Sequence, residues 1–222
     1  MRVAGVDEAG RGCFIGPLVV AGASFDSDKV QALVDLGVKD SKKLTSKKRE
    51  SIAQGIEKLA SGIRYFDLQP SSIDAVVNRG VKLKRLNYLE AVAMANVIRH
   101  LAPEEAYVDA SDVDDVRYGE MILKLLRVKP RLVCEHKADF NYPVVSAASI
   151  LAKVRRDAII TSLREVYGDF NSGYPSDDKA KEWLVEWYRQ HRSWPVIVRQ
   201  SWEPVKKVRL DVSQMRLASA SA

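Results

Sequence analysis

The sequence predicts an α/β domain built around one sheet, followed by a C-terminal extension, and three observations carry that prediction. The chain opens on an apolar strand, Val3 to Val6, that is too short for a helix and too apolar for an exposed loop. Two further buried strands, EAYVDA and RLVCEH, alternate with stretches of helical spacing. The first strand and EAYVDA both end on carboxylates, Asp7 with Glu8 in one and Asp109 in the other. A chain of 222 residues can bury a substantial single core.

Taken in order, Ala4 to Gly16 reads AGVDEAGRGCFIG, a strand that delivers Asp7 and Glu8 into a glycine-rich loop. An acid pair at a strand end is ordinarily solvated or caps a turn. Gly10, Gly12 and Gly16 change that expectation, because they admit positive φ or the close approach of another backbone or ligand. Arg11, held out between two of them, offers a guanidinium to an anion or a hydroxyl. A dinucleotide-binding turn requires a helix after the last glycine, but FIGPLVVAGASF reads as a second strand of a hairpin. No Lys-Ser or Lys-Thr follows Gly16, so the loop is not a P-loop.

KVQALVDLG is a short helix that stops at Gly37, and Thr45 or Ser46 caps the next, whose apolar side carries Ile52, Ile56 and Leu59. Lys42, Lys43, Lys47, Lys48 and Arg49 crowd the start of that helix, where its dipole opposes cations; they form a solvated basic face or await an anion. GIRYFDLQP is a third strand, SSIDAVV a short helix capped by Ser71 with Asp74 reaching back, and Asn78 with Gly80 breaks it. A long amphipathic helix runs from about Lys82 to Leu101, with Leu86, Leu89, Val92, Ala93, Asn96 and Val97 near one side. After Asp109 a helix over about Asp114 to Arg127 covers the sheet, and RLVCEH leads to Asp139, just before a helix that begins near Pro143. That helix has Ser146, Ala147, Ala148 and Ala152 in its first half, small enough for close approach to another element. DFNSGYPSDD is a polar loop that holds Tyr174 between Gly173 and Pro175, outside the core, and a last amphipathic helix precedes SWPVIVRQSW and a basic, unstructured tail.

With 35 Lys and Arg against 29 Asp and Glu, the net charge of +6 suits a nucleic-acid partner. Cys13 and Cys134 lack metal-ligand spacing and read as buried thiols of an intracellular protein, with a disulfide left open. No apolar run approaches the ~20 residues that span a bilayer, so a cytoplasmic protein with no membrane partner is expected. The α/β reading gathers Asp7, Glu8, Asp109 and Asp139 at one end of one sheet. Four bare carboxylates raise one another's pKa and so imply a counter-cation; all-oxygen ligands favour Mg2+ or Mn2+ over zinc. Two such ions about 4 Å apart can activate a water and stabilise a leaving oxygen in phosphodiester hydrolysis.

The blocks GVDEAGRGCFIGPLVVAG, DSKKLT, YVDASD, HKAD, VVSAASILAKVRRD and NSGYPSD resemble ribonuclease HII, the type 2 ribonuclease H, of archaeal kind. The likeness runs from the first residues to about Trp202. It implies a ribonuclease H-like mixed β-sheet flanked by helices: a catalytic domain over residues 1–170 and a C-terminal helical substrate-binding part over 171–205; beyond it, residues 206–222 read as a basic, flexible tail. It implies an endonuclease that hydrolyses RNA in RNA/DNA hybrids and cuts 5′ to single ribonucleotides in duplex DNA by two-metal-ion catalysis, leaving 5′-phosphate and 3′-hydroxyl ends. Asp7, Glu8, Asp109 and Asp139 match its acidic site, Gly10, Arg11 and Gly12 its loop that senses the ribose 2′-hydroxyl, and Tyr174 its junction-sensing tyrosine. Lys42, Asn78, Ser149 and Lys153 fall in blocks that line the substrate groove. Some archaeal members end in a sliding-clamp-binding peptide; Gln214 and Leu217 have its beginning, but the final ASASA supplies no aromatic pair, so clamp binding through this tail is not expected. A monomer is expected. The competing classes are a non-catalytic hybrid-binding protein, which gains nothing from acids near phosphate, and another two-metal nuclease, which would not need the 2′-hydroxyl loop.

Overall fold

The computed structural model describes residues 1–38, 44–79 and 82–220. In chain order the elements are β1 (Arg2–Ala9), β2 (Leu18–Asp26), α1 (Val30–Leu36), α2 (Ser46–Leu59), β3 (Gly62–Leu68), α3 (Pro70–Val77) and α4 (Lys82–Leu101). They continue with β4 (Glu105–Asp109), α5 (Asp115–Lys124), β5 (Arg131–Glu135), α6 (Ala138–Asn141), α7 (Pro143–Tyr167), α8 (Asp178–His191) and α9 (Glu203–Ala220). The sheet order is β3-β2-β1-β4-β5. β1, β2 and β3 pair antiparallel, as the hairpin predicts, whereas β4 joins β1 and β5 joins β4 in parallel. The sheet is therefore mixed, and β1 is its centre.

Period-2 alternation along β1 assigns its residues to two cores. Ala4 and Val6 face one layer, packed with Met94, Val97 and Ile98 of α4 and Tyr118 and Ile122 of α5. Val3 and Ala9 face the other, packed with Ile52 and Ile56 of α2 and Val145, Ala147 and Leu151 of α7. Gly5 lies where α7 comes closest, and a Cβ built on it would collide with the Val144 carbonyl. Since backbone cannot rotate away as a side-chain tip can, Gly5→Ala is expected to cost about 1 to 3 kcal/mol. A denaturant midpoint equal to wild type would show that α7 is free to move off β1.

A third apolar cluster joins the end of α7 to the C-terminal helices through Phe14, Ile15, Ile160, Phe170, Leu184, Ile197, Val198 and Val205. Two local expectations are corrected here. α3 starts on Pro70, whose missing N-H costs nothing at a first helical position, and Ser71 is not its cap. The Asp74 carboxylate instead accepts from the backbone N-H groups of Gln200 and Ser201 at 2.9 Å each and from the Ser201 hydroxyl at 2.6 Å, which fixes the turn into α9. The expected unstructured tail is helical as far as Ala220. Val205 and Val212, two turns apart on one face, are both buried, an apolar stripe too narrow to stand out in a basic sequence. Thr45 caps α2, accepting from the Lys48 N-H. Both cysteines are free. Among the described residues no helix is long and apolar enough to cross a membrane.

Candidate active site

β1 and β4 run parallel in a register that sets Val6 against Val108, so the next residues, Asp7 and Asp109, emerge side by side. Beyond β5 the chain reverses at Lys137, whose φ is +59°, and the short α6 turns Asp139 back toward them. The Ser146 hydroxyl at the start of α7 donates to the Asp139 carbonyl at 2.5 Å and ties that turn to the helix. As a result one carboxylate oxygen from each of Asp7, Asp109 and Asp139 lies within 4.8 Å of the others. Asp7 and Asp139 are buried and Asp109 is half-buried. Burial, then the charges of Glu8 and Asp109, raise the Asp7 carboxyl well above its ordinary range; a hydrogen bond from Ser149 works against them. Like charges held this close, two of them buried, fit a hard divalent cation, which their oxygens would suit without His or Cys.

Glu8 does not join that group. Alternation along β1 turns it to the opposite face of the sheet, where Ser111 donates its hydroxyl to one oxygen at 3.0 Å and the other is buried without a hydrogen-bond partner. Burial and the nearby Glu90 push its carboxyl up to about 8. Glu90 was missed in the sequence, although a signal existed: it sits on the stripe of α4 that carries Leu86, Ala93 and Val97, a charge where the helix buries apolar residues.

The explanation for that buried charge is Arg11. Its guanidinium turns inward, 3.1 Å from Glu90 through Nε, donating to Asn87 Oδ1 at 2.6 Å and to the Ser111 carbonyl. The expected outward guanidinium is thus corrected: internal partners engage Arg11, and the loop presents its backbone instead. Of its glycines, Gly10 and Gly16 have φ of +86° and +84°, and a side chain at Gly10 would meet Arg156 and the Pro17 carbonyl. Gly12 is exposed, and a Cβ there would meet nothing within 4 Å. Its small size serves no packing inside the protein.

The Tyr174 loop lies directly beside this one, because the Gly173 carbonyl accepts from the N-H groups of Phe14 and Ile15 at 3.1 and 3.4 Å. The Arg156 guanidinium covers the Tyr174 ring at 4.8 Å from its centroid, and the phenol hydrogen-bonds the Cys13 thiol. Ser149, one turn before Lys153 on α7, touches Asp7, and Lys153 is half-buried on the same side of the helix. Asn78 ends α3 and is exposed, following Val77, which lines a cavity together with Arg11, Gly12, Leu86 and Trp202. Lys42 lies outside the described residues.

A family profile described as Ribonuclease HII matches residues 4–205. The chain belongs to the ribonuclease HII family. Ribonuclease HII of Pyrococcus furiosus is 46% identical over 208 residues, covering 94% of this chain and 91% of the relative. Among solved structures, the ribonuclease H2 of Pyrococcus horikoshii OT3 superposes with a TM-score of 0.88 at 42% identity, covering 96% of this chain and 100% of that one. A PCNA:RNase HII complex from Archaeoglobus fulgidus matches with a TM-score of 0.81 at 40% identity, covering 93% and 96%. Membership makes this chain a ribonuclease H enzyme, a divalent-metal-dependent endonuclease acting on the RNA of RNA/DNA hybrids, and it explains the mixed sheet and the acids at its centre.

Proposed function

We propose that this chain cuts RNA in hybrids and also cuts 5′ to a single ribonucleotide embedded in duplex DNA, through two Mg2+ or Mn2+ ions, leaving 5′-phosphate and 3′-hydroxyl ends. The observation that carries this reading is the adjacency of three carboxylates within 4.8 Å to a loop whose exposed Gly12 has empty space above it. Asp7, Asp109 and Asp139 would hold the ions, which supply water activation and leaving-oxygen stabilisation when bound. Glu8, within electrostatic range of Asp7 and Asp109, is the fourth acid of the set. Ser149 orients Asp7, while Lys42, Asn78 and Lys153 are assigned to phosphates of the substrate. The backbone of Gly10, Arg11 and Gly12 reads the 2′-hydroxyl, and Tyr174 meets the nucleotide that follows it.

A cleavage assay on duplex DNA carrying one ribonucleotide, with and without EDTA, tests the whole reading. Cutting on the 5′ side that EDTA abolishes is expected; an intact strand in the presence of Mg2+ and Mn2+ would overturn it. Gly12→Ala tests the loop by itself, because the free protein has room for the methyl group. Its thermal midpoint should equal wild type while cleavage falls about tenfold or more, the cost of about 1.4 kcal/mol of lost approach to the sugar. Full activity in that variant would mean that Gly12 does not approach the substrate.

We assign the protein as a monomer in solution. For the sliding clamp, the A. fulgidus complex is a reason to test and the segment Gln214 to Ala222, without an aromatic side chain, a reason to expect no contact through it. Co-elution with PCNA, lost on deleting residues 214–222, would overturn that expectation.

A further inference from the structure

Arg199 is fully buried, yet its partners are carbonyls. Nε donates to the Gly16 carbonyl at 3.1 Å, and the two terminal nitrogens donate to the carbonyls of Arg11 and Gly10 at 2.8 and 2.7 Å. The same stretch of backbone is stitched to the loop: the Arg199 N-H donates to the Phe14 carbonyl at 2.8 Å, and the Gly16 N-H donates to the Ile197 carbonyl at 2.8 Å. Trp202 presents its ring 5.2 Å from the guanidinium and closes it off. Burial lowers the Arg199 pKa to about 10, so it stays charged at neutral pH.

The buried Glu90 carboxylate acts on its charge, but the hydrogen bonds of the guanidinium all go to carbonyls, and a buried charge so placed is a costly way to fill a core that a methionine would fill more cheaply. What the guanidinium alone supplies is a planar fork with several diverging donors. Its three acceptors stand at both ends of the glycine loop. In a trans peptide the carbonyl of one residue and the N-H of the next point in opposite directions. Drawing the Gly10 and Arg11 carbonyls inward therefore turns the N-H groups of Arg11 and Gly12 outward, on the side where Gly12 is exposed.

We propose that Arg199 is a positioning residue: from the C-terminal segment it grips the Gly10 and Arg11 carbonyls and thereby aims the Arg11 and Gly12 N-H groups at the ribose 2′-hydroxyl. The aim at a ribose rests on the proposed function; the grip on the loop does not. It also gives the C-terminal segment a part in substrate selection, since the discriminating loop takes its shape from a residue 188 positions away.

Arg199→Lys keeps the charge and loses the fork, because one ammonium cannot reach three diverging carbonyls. Arg199→Met removes both. Three measurements separate the possibilities: cleavage rate at a lone ribonucleotide with saturating Mg2+, affinity for the matched all-DNA duplex, and hydrogen exchange of the peptide over residues 10–16. In Arg199→Lys the rate should fall about tenfold, all-DNA affinity should stay within about twofold, and exchange should rise about tenfold, the scale of one lost hydrogen bond. Arg199→Met should lose at least as much rate. An unchanged rate in both variants would overturn the proposal. So would parallel losses of rate, all-DNA affinity and thermal midpoint, or the failure of both variants to fold, since these mark a scaffold role only. If wild type itself does not cut at the ribonucleotide, the substrate reading fails, and unchanged exchange in Arg199→Lys would remove the positioning role as well.

Discussion

Asp7→Asn is expected to abolish cleavage, by about a thousandfold or more, while binding to the hybrid stays equal or tightens. Asparagine has nearly the same shape and can still accept from Ser149, so the local fold is preserved. What it lacks is the charge that, with Asp109 and Asp139, makes three oxygens within 4.8 Å a place for divalent cations. The same charge repels phosphate and its two acidic neighbours, Glu8 and Asp109. Its removal should therefore leave the metal-free thermal midpoint unchanged or raise it. Activity and stability moving in opposite directions is a signature that a damaged fold cannot imitate. Asp109→Asn should behave alike in cleavage. Single-turnover rates and duplex affinities for the two variants are the measurements, and turnover near wild type in either would remove the acidic site from its assigned role.

The sequence makes Asp7 and Asp109 legible for a geometric reason. Asp7 lies near the C-terminal end of β1 and Asp109 ends β4, and the ends of parallel neighbours lie side by side, so a strand pattern alone is enough to bring them together. Asp139 required the chain to reverse at Lys137, a left-handed residue that no local pattern announces. Glu8 follows Asp7 in sequence and belongs to the same acidic set by resemblance, but consecutive strand residues face opposite ways, and its side chain meets Ser111 and Glu90 on the far side of the sheet. The inward turn of Arg11 is not legible locally, because its partners lie on α4 and after β4, 76 and 100 residues away. Asp74 shows the same limit: a local capping pattern was overridden by the Gln200-Ser201 turn, 126 and 127 residues on. Short-range patterns thus locate the strands and most helices, though not α6 or α9, while the polar contacts that shape the glycine loop are long-range and visible only in the fold.

Tyr174→Ala is expected to slow cutting at a lone ribonucleotide by about ten- to a hundredfold, the loss of about 1 to 3 kcal/mol of ring stacking, with a smaller loss on an RNA/DNA hybrid. One face of the ring is taken by Arg156, leaving the partly exposed side for a nucleotide. A ring so placed favours deoxyribose after the ribonucleotide, because a 2′-hydroxyl against its face would lose water without gaining a partner. Collapse of the loop is not the expected cause of the loss. Arg156 also donates to the Ser172 carbonyl at 3.0 Å, Gly173 still accepts from Phe14 and Ile15, and Asp177 still accepts from the Ser172 N-H at 3.0 Å and hydroxyl at 2.6 Å. Tyr174→Phe keeps the stack and gives up only the bond to the Cys13 thiol, a weak acceptor. It should stay within about threefold of wild type, since a bond of that kind contributes under about 1 kcal/mol. If Tyr174 only braces its loop, the alanine variant should lose equally on both substrates. Rates for both variants on both substrates at saturating Mg2+ decide between the two roles, and an unchanged ratio of the two rates in Tyr174→Ala would end the assignment of this ring to the nucleotide after the ribose.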